Sequence, residues 1–212
     1  MKLTKEGRRP ENGWKRIVSG ADAVMFMIAS AATALLTTVA TIAGLIGYAS
    51  GPVTLVLPVA TANHAATGLA PGVTGHFTAM EATLPTLPSG PGGLLAWADS
   101  LNQIGILALL ALVFLLAHRL RSEALFTSGS AWIVGACGAA LTLFGTVGQI
   151  LDSIARSWLA ELIGVNARTT GAAFSFSADF NLAPLVLGSV LVLVAGVFQF
   201  GRRLQQDTEG LI

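Results

Sequence analysis

The residues of this chain that could bind a ligand or transfer a proton lie close to the ends of long apolar segments. Asp152 and Arg156 are four residues apart, so they form an ion pair if their segment is helical. With four further residues they make up a candidate outer polar cluster: Asp99, Asn102, Gln103, Gln149, Asp152 and Arg156. Asp179 and Asn181 hold a similar position before the last segment. Two interpretations remain open: these residues end helices at a boundary with solvent, or they line a shallow pocket for a small ligand or a partner segment.

Sequence motifs of known catalytic and metal sites are missing from the chain. It contains no His-Glu-x-x-His, no Gly-x-Ser-x-Gly, no phosphate-binding Gly-x-x-x-x-Gly-Lys-Ser/Thr and no Cys-x-x-Cys. His64, His76 and Glu81 would bind zinc only if a folded loop brought them together, and His118 belongs to a basic segment. Cys137 is the only cysteine, so it forms no intrachain disulfide and is expected to be a packing residue. We therefore predict a protein that is not an enzyme and has no cofactor or metal.

Four uncharged apolar segments must position these residues. A helix rises about 1.5 Å per residue, so about 20 apolar residues cross the roughly 30 Å core of a bilayer. Hydrophobic residues make up 53% of the chain and charged residues 11%, against about 25% charged in a soluble domain. Because lipid cannot satisfy backbone groups, the segments are predicted to be helices, at about residues 22–50, 99–118, 128–155 and 180–203. The predicted fold class is an all-α membrane protein, a four-helix bundle with four transmembrane helices.

The distribution of Lys and Arg predicts the orientation of these helices. Basic residues favour the cytoplasmic side of a membrane. Most of the Lys and Arg residues of this chain lie in the first 20 residues, in the link with Arg119 and Arg121, or at Arg202 and Arg203. Both chain termini are therefore expected in the cytoplasm. The predicted organisation is a basic cytoplasmic arm at 1–20 and a transmembrane domain at 21–212, with extracytoplasmic loops at 51–98 and 156–179 and a cytoplasmic tail at 204–212.

The first extracytoplasmic loop is predicted to form a small cap on the helices. Residues 51–98 are rich in Gly, Pro and Thr and contain two stretches that favour extended structure, at 52–58 and 73–80. These stretches predict a β-hairpin. An irregular ordered loop is the alternative, because short apolar runs are ambiguous.

Two stripes of small and hydroxyl-bearing residues run along the first and third predicted helices. Residues three or four apart share one helix face, and small residues let membrane helices approach closely. The stripes are therefore expected to be helix–helix contacts. The alternative is a polar path for a solute, along Thr37, Thr41, Thr142 and Gln149. The stripes consist of Ser30, Thr33, Thr37, Thr41, Gly44 and Tyr48, and of Gly135, Gly138, Thr142, Gly145 and Gln149.

The link at 119–131, Arg-Leu-Arg-Ser-Glu-Ala-Leu-Phe-Thr-Ser-Gly-Ser-Ala, and the chain end at 197–212, Val-Phe-Gln-Phe-Gly-Arg-Arg-Leu-Gln-Gln-Asp-Thr-Glu-Gly-Leu-Ile, carry a recognisable pattern. They resemble a bacterial family of four-helix integral membrane proteins of unknown function, often encoded beside a small helix-turn-helix regulator. The chain departs from that family at 127–130, Thr-Ser-Gly-Ser, where members commonly carry Asn and several Arg or Lys. The resemblance implies a regulatory or signalling accessory of the bacterial cytoplasmic membrane, and it supplies no catalytic residues.

The chain end also has the chemistry of a docking segment. A helix end folded back onto the cytoplasmic links is the alternative. The candidate cytoplasmic docking tail combines charged residues with apolar anchors: Arg202, Arg203, Leu204, Asp207, Glu209, Leu211 and Ile212.

The expected function is that of a non-enzymatic accessory, regulatory or signalling partner of another protein or of a larger membrane complex. A small transporter or channel subunit and an immunity-type protein against a membrane-active toxin are the alternatives. The expected partners are the lipid bilayer and a protein, and homo-oligomerisation stays open. Direct nucleic-acid binding is not expected, because the sequence shows no recognisable module for it.

Overall fold

The computed structural model of the protein describes residues 20–59, 70–75, 78–121, 128–165 and 180–209. These residues form four helices and two strands, and the strands pair as an antiparallel hairpin between the first two helices. The predicted architecture of four helices with a small cap is therefore confirmed, and the cap contains a hairpin. The elements follow one another as α1 (Gly20–Ser50), β1 (Val53–Pro58), β2 (Ala79–Leu84), α2 (Ser89–Arg121), α3 (Ser128–Leu162) and α4 (Ala183–Glu209).

All four helices are long and apolar enough to cross a membrane. Large apolar side chains point outward along the two terminal helices: Leu36 on α1 and Leu193 on α4 are 71% and 70% exposed. Such exposure is unfavourable in water, whereas lipid tails are as apolar as leucine. The structure thus fits a multi-pass membrane protein. The candidate spans are Ala21–Ser50, Ser89–Leu120, Gly129–Leu162 and Ala183–Gly201.

The helices alternate in direction, so the molecule has two distinct ends. We call the end that carries β1 and β2 the hairpin end, and the end where α1 begins and α4 finishes the tail end. α1 and α3 run towards the hairpin end, and α2 and α4 run away from it.

Two helices extend beyond their predicted limits at the hairpin end. α2 begins ten residues before the predicted 99, and α3 ends seven residues after the predicted 155. Asp99 and Arg156 placed those limits because charged residues usually stop a membrane span. The helices continue past them because the hairpin covers their apolar sides: Leu95 and Leu159 are both 0% exposed. Residues 89–98 of the first predicted extracytoplasmic loop and 156–162 of the second are therefore helical.

α4 is displaced towards the tail end relative to its predicted limits. It begins three residues after the predicted 180, where the side-chain oxygen of Asn181 accepts a hydrogen bond of 2.9 Å from the backbone N–H of Ala183. Such a bond satisfies one of the free N–H groups at a helix start. α4 then continues to Glu209, so most of the predicted tail at 204–212 is helical. Residues 210–212 lie outside the described part of the chain.

The helices pack as an open row in the order of the sequence. The main contacts join α1 to α2, α2 to α3 and α3 to α4, and within the described residues no comparable contact joins α1 to α4. α3 thus packs against a helix on each side, whereas α1 and α4 each pack against one. This row is a more open arrangement than a bundle closed around one core.

The contact between α3 and α4 is built from glycines. Gly138 on α3 and Gly188 on α4 face each other so closely that a Cβ atom at Gly188 would lie 2.6 Å from the carbonyl oxygen of Gly138. Thr142 packs beside this pair, and Pro184 packs against Gly145. Towards the tail end, a small apolar core of Leu112, Val134 and Ala195 joins three helices, and Cys137 packs against it.

The hairpin is held to the helices by its alternating side chains. On β1, Leu55 and Leu57 are buried against α2 and α3, whereas Thr54 and Val56 point outward. The pairing Val53↔Leu84 places Leu84 of β2 in the same apolar cluster. A two-stranded hairpin is marginally stable alone, so this contact with the helices stabilises it.

The position of β2 differs from the sequence expectation. The second predicted stretch was 73–80, whereas β2 spans Ala79–Leu84. Glu81 and Ala82 are residue types depleted in strands, so the sequence gave no strand signal beyond Met80. The register is set instead by burial of Leu84, because a shift by one residue would turn that side chain to the solvent.

Substitution at Gly188 should weaken the α3–α4 contact. The added Cβ of Gly188→Ala would meet backbone atoms that cannot move aside: the carbonyl oxygen of Gly138 at 2.6 Å and the nitrogen of Thr142 at 2.9 Å. We expect a loss of about 1–3 kcal/mol, measured as a lower unfolding midpoint in detergent. Gly196→Ala, also on α4, is the matched control because its added Cβ has no atom within 4 Å. Equal midpoints for the two variants would contradict this packing.

Candidate functional site

At the hairpin end, Asp99 on α2 contacts the end of α1. The hydroxyl of Tyr48 donates a hydrogen bond of 2.7 Å to the Asp99 carboxylate. Arg156 and Asp152 on α3 are close enough to interact electrostatically with Tyr48 as well. Three of the six residues of the outer polar cluster, Asp99, Asp152 and Arg156, therefore surround this tyrosine. The fourth member of the group, Tyr48, was assigned from sequence to the α1 stripe and not to the cluster.

Gln103, one turn further along α2, lies within the membrane-spanning part and faces α1. Its side chain is almost fully buried, at 7% exposure. The Nε2 atom donates to the hydroxyls of Thr37 and Thr38, each at 3.1 Å, and Oε1 accepts from Thr41 at 3.2 Å. One amide thus uses both its donor and its acceptor groups on three threonines of α1. Gln103 therefore connects α2 to α1 through hydrogen bonds, and its buried side chain is not exposed to a pocket.

Arg156 joins α3 to the hairpin. Its Nε atom donates to both carboxylate oxygens of Asp152, at 2.9 and 2.7 Å, which is the ion pair expected from the spacing of the two residues. Its Nη1 atom donates to the backbone carbonyl of Val56 on β1, at 2.9 Å. That carbonyl faces away from β2: Val59 bonds Thr78 across the ladder, and the direction alternates along an antiparallel pair. Arg156 therefore satisfies an edge group of the sheet.

A polar cleft of about 320 Å³ opens between the hairpin and α3. The Asp152–Arg156 pair forms one wall, with side-chain exposures of 33% and 30%. The size of the cleft lies at the lower end of the range for small-molecule sites. Its lining is Val56, Pro58, Thr78, Ala79, Asp152, Ser153 and Arg156.

The remaining residues of the outer polar cluster do not reach this cleft. Gln149 faces the start of α4, where its side-chain oxygen accepts a 2.7 Å hydrogen bond from the backbone N–H of Asn181. Asn102 is exposed on α2. Asp179 lies outside the described residues. Of the six predicted residues, Asp99 and Gln103 contact α1, Asp152 and Arg156 line the cleft, and Gln149 contacts the start of α4, whereas Asn102 is in none of these places.

The two stripes of small and hydroxyl-bearing residues line different helix contacts. Thr37 and Thr41 lie between α1 and α2, whereas Thr142 lies between α3 and α4. The α2–α3 contact separates them, and there Gly148 approaches the backbone of α2 at Ala98. The described residues therefore do not join these threonines into one path. Thr33 of the first stripe is exposed on the outer side of α1.

At the tail end, Arg119 near the end of α2 donates a hydrogen bond to the hydroxyl of Ser130 at the start of α3. Ser130 is buried. The basic residue that helped to set the predicted orientation therefore also fastens two helices together. The backbone of 202–209 in the docking tail is helical, whereas Leu211 and Ile212 lie outside the described residues.

The histidines considered for zinc cannot be placed together. His64 and His76 lie outside the described residues. Within the part of the chain that is described, no group of three or more His, Cys, Asp or Glu side chains has the spacing of a metal site.

Comparison with known proteins found no matching protein family, no similar curated protein and no similar solved structure. The resemblance to the four-helix family therefore stays a prediction.

Replacement of Gln103 should loosen α1. Gln103→Leu keeps a similar volume but removes the hydrogen bonds to three threonines, each worth about 0.6 kcal/mol between membrane helices. We expect a loss of about 1–2 kcal/mol in the free energy of unfolding, measured by denaturation in detergent micelles. Asn102→Leu is the matched control, because the neighbouring Asn102 side chain is exposed. If the control lost as much stability as Gln103→Leu, the threonine contacts would not be what holds α1.

Proposed function

We propose that this chain is a non-enzymatic membrane protein that acts by binding another protein, as an accessory, regulatory or signalling subunit of a larger complex. It resides in the cytoplasmic membrane of a bacterium, with both chain termini in the cytoplasm. The docking element is α4 together with its continuation beyond the membrane.

The observation that carries this proposal is the construction of α4. Its uncharged apolar run ends at Gly201, and the helix backbone continues to Glu209 through two arginines and two acidic residues. Within the span, one face packs against α3 and the other is open: Val197 and Phe200 are 67% and 69% exposed. A helix with a free apolar face and a charged extension offers a partner both a membrane contact and a contact in water. Helix faces of this kind are a common mode of protein recognition.

Two further observations favour binding over transport. The threonines that would have lined a solute path belong to separate contacts on either side of α2 and α3. Gln103 and Gln149 are engaged by this chain's own helices. Polar side chains that serve a pathway usually face a water-filled cavity instead.

The proposed orientation is tested by labelling cysteines in intact cells. In a Cys137→Ala background, Thr54→Cys places a thiol on the outward face of β1, and Gln206→Cys places one on the helical extension. A membrane-impermeant maleimide should react with the first variant in intact cells and with the second only after permeabilisation. Labelling of Gln206→Cys in intact cells would show that the chain end faces outward, and the proposed orientation would be wrong.

The proposed function is tested by purifying the tagged full-length chain from native membranes in mild detergent and identifying what co-purifies. We compare the wild type with two double variants that each remove one adjacent arginine pair: Arg202→Gln with Arg203→Gln, and Arg8→Gln with Arg9→Gln. A specific partner should be reduced about tenfold by the first pair, the effect of losing two charge contacts, and retained by the second. The proposal fails if no partner depends on the α4 pair and the purified protein moves solutes across liposome membranes.

A further inference from the structure

The polar cleft beside Asp152 and Arg156 lies at the depth of lipid headgroups. The uncharged part of α3, residues 129–151, rises about 34 Å, which matches the roughly 30 Å hydrocarbon core of a bilayer. Asp152 and Arg156 follow directly, so they occupy the first turns beyond that core. Headgroups fill the next layer, about 5–7 Å thick on each side.

Tryptophans support the same depth independently. Trp158 on α3 is 45% exposed, two residues beyond Arg156, and Trp97 on α2 is 66% exposed, two residues before Asp99. Indole rings favour the boundary between headgroups and acyl chains. Two helices of opposite direction thus place their exposed tryptophans beside their charged residues. The cleft therefore opens within reach of lipid headgroups.

Arg156 retains hydrogen-bond donors for a ligand. Its Nε and Nη1 atoms are engaged by Asp152 and by the Val56 carbonyl, whereas its Nη2 atom has no partner within the described residues. A planar guanidinium with donors free is a good match for a phosphate oxygen. On the other side of the pair, each carboxylate oxygen of Asp152 has more than one lone pair and so can accept from a further donor.

The charge of the cleft selects among phosphate-bearing ligands. Arg156 and Asp152 neutralise each other, and Asp99 adds a further negative charge near Arg156, so an anion gains little net attraction when it enters. A ligand that carries both signs satisfies both groups, with its phosphate at the guanidinium and its ammonium at the carboxylate. The cleft volume of about 320 Å³ is large enough for a group of this size.

We propose that this cleft binds the headgroup of a zwitterionic phospholipid with a primary ammonium, a phosphoethanolamine. The phosphate accepts from Nη2 of Arg156, and the ammonium donates to the carboxylate of Asp152. A quaternary ammonium has no N–H to donate and is bulkier, so a phosphocholine binds less well. Because Arg156 also holds the Val56 carbonyl, the bound lipid contacts the group that fastens the hairpin to α3.

The test measures lipid binding to the delipidated full-length protein by native mass spectrometry in detergent. The probes are dioleoyl phosphatidylethanolamine, phosphatidylcholine and phosphatidylglycerol, each titrated separately. We expect the ethanolamine lipid to bind about fivefold more tightly than the other two, the scale of one partly exposed charge contact. Equal affinity for the three lipids would overturn the proposal.

Variants separate recognition from folding. Asp152→Asn keeps the shape of the side chain but removes the counter-charge that pairs directly with Arg156, so the preference should move from the ethanolamine lipid towards the anionic glycerol lipid. Glu81→Gln is the matched control: it removes a carboxylate from β2 outside the cleft lining and should leave the preference unchanged. A purely structural role for Asp152 would lower stability without exchanging the preferred lipid. That result, or a shift caused equally by Glu81→Gln, would contradict the assignment.

A water-soluble headgroup distinguishes a membrane ligand from a dissolved one. Glycerophosphoethanolamine carries the same phosphate and ammonium without acyl chains. As a weak competitor it should displace the ethanolamine lipid from the wild type and have no such effect on Asp152→Asn. If glycerophosphoethanolamine binds and the lipid does not, the assignment to a membrane lipid is wrong.

Discussion

Inside a bilayer no water is available to a polar side chain, and the arrangement of α1 on α2 follows from that constraint. Gln103 is nearly fully buried and uses its amide on three threonines of α1. Each bond contributes little, but an amide without a partner in lipid would cost several times more. α1 therefore keeps one rotational setting on α2. That setting brings Tyr48 to Asp99 and leads the chain directly into the hairpin.

α3 unites the two ends of the molecule, and its contacts change in kind with depth. Within the membrane it packs through Gly138 against Gly188 of α4, where close approach and dispersion replace the hydrophobic effect. Beyond the membrane its buried Leu159 belongs to the cluster under the hairpin, which resembles a small soluble core. Arg156 lies between the glycine contact with α4 and the apolar cluster under the hairpin. It carries its charge at headgroup depth and satisfies a backbone carbonyl of β1 at the same time.

The open row leaves two regions for contacts outside the chain. At the tail end, α4 has a free apolar face and a charged helical extension, the features on which the proposed partner binding rests. At the hairpin end, the cleft offers a neutral pair of opposite charges at the level of lipid headgroups. The cleft lies beside α3 at the hairpin end, and the charged extension of α4 lies at the tail end. A lipid and a protein partner can therefore bind at the same time. A protein subunit held by lipid at one end and by a partner at the other would be fixed in both depth and rotation.

The amino-acid sequence by itself indicated that most of this protein lies in lipid and is helical there. Long uncharged apolar segments satisfy their backbone groups in lipid only as helices, and that argument is local to each segment. It also identified the Asp152–Arg156 pair, because spacing along one helix is a local property. Tertiary structure decided which residues meet across elements. Only packing brought Gln103 to Thr37, Tyr48 to Asp99 and Arg156 to Val56, and only burial of Leu84 placed β2 later than its propensity suggests. These contacts depend on how each helix is rotated against its neighbour, and rotation is fixed by side chains far apart in sequence.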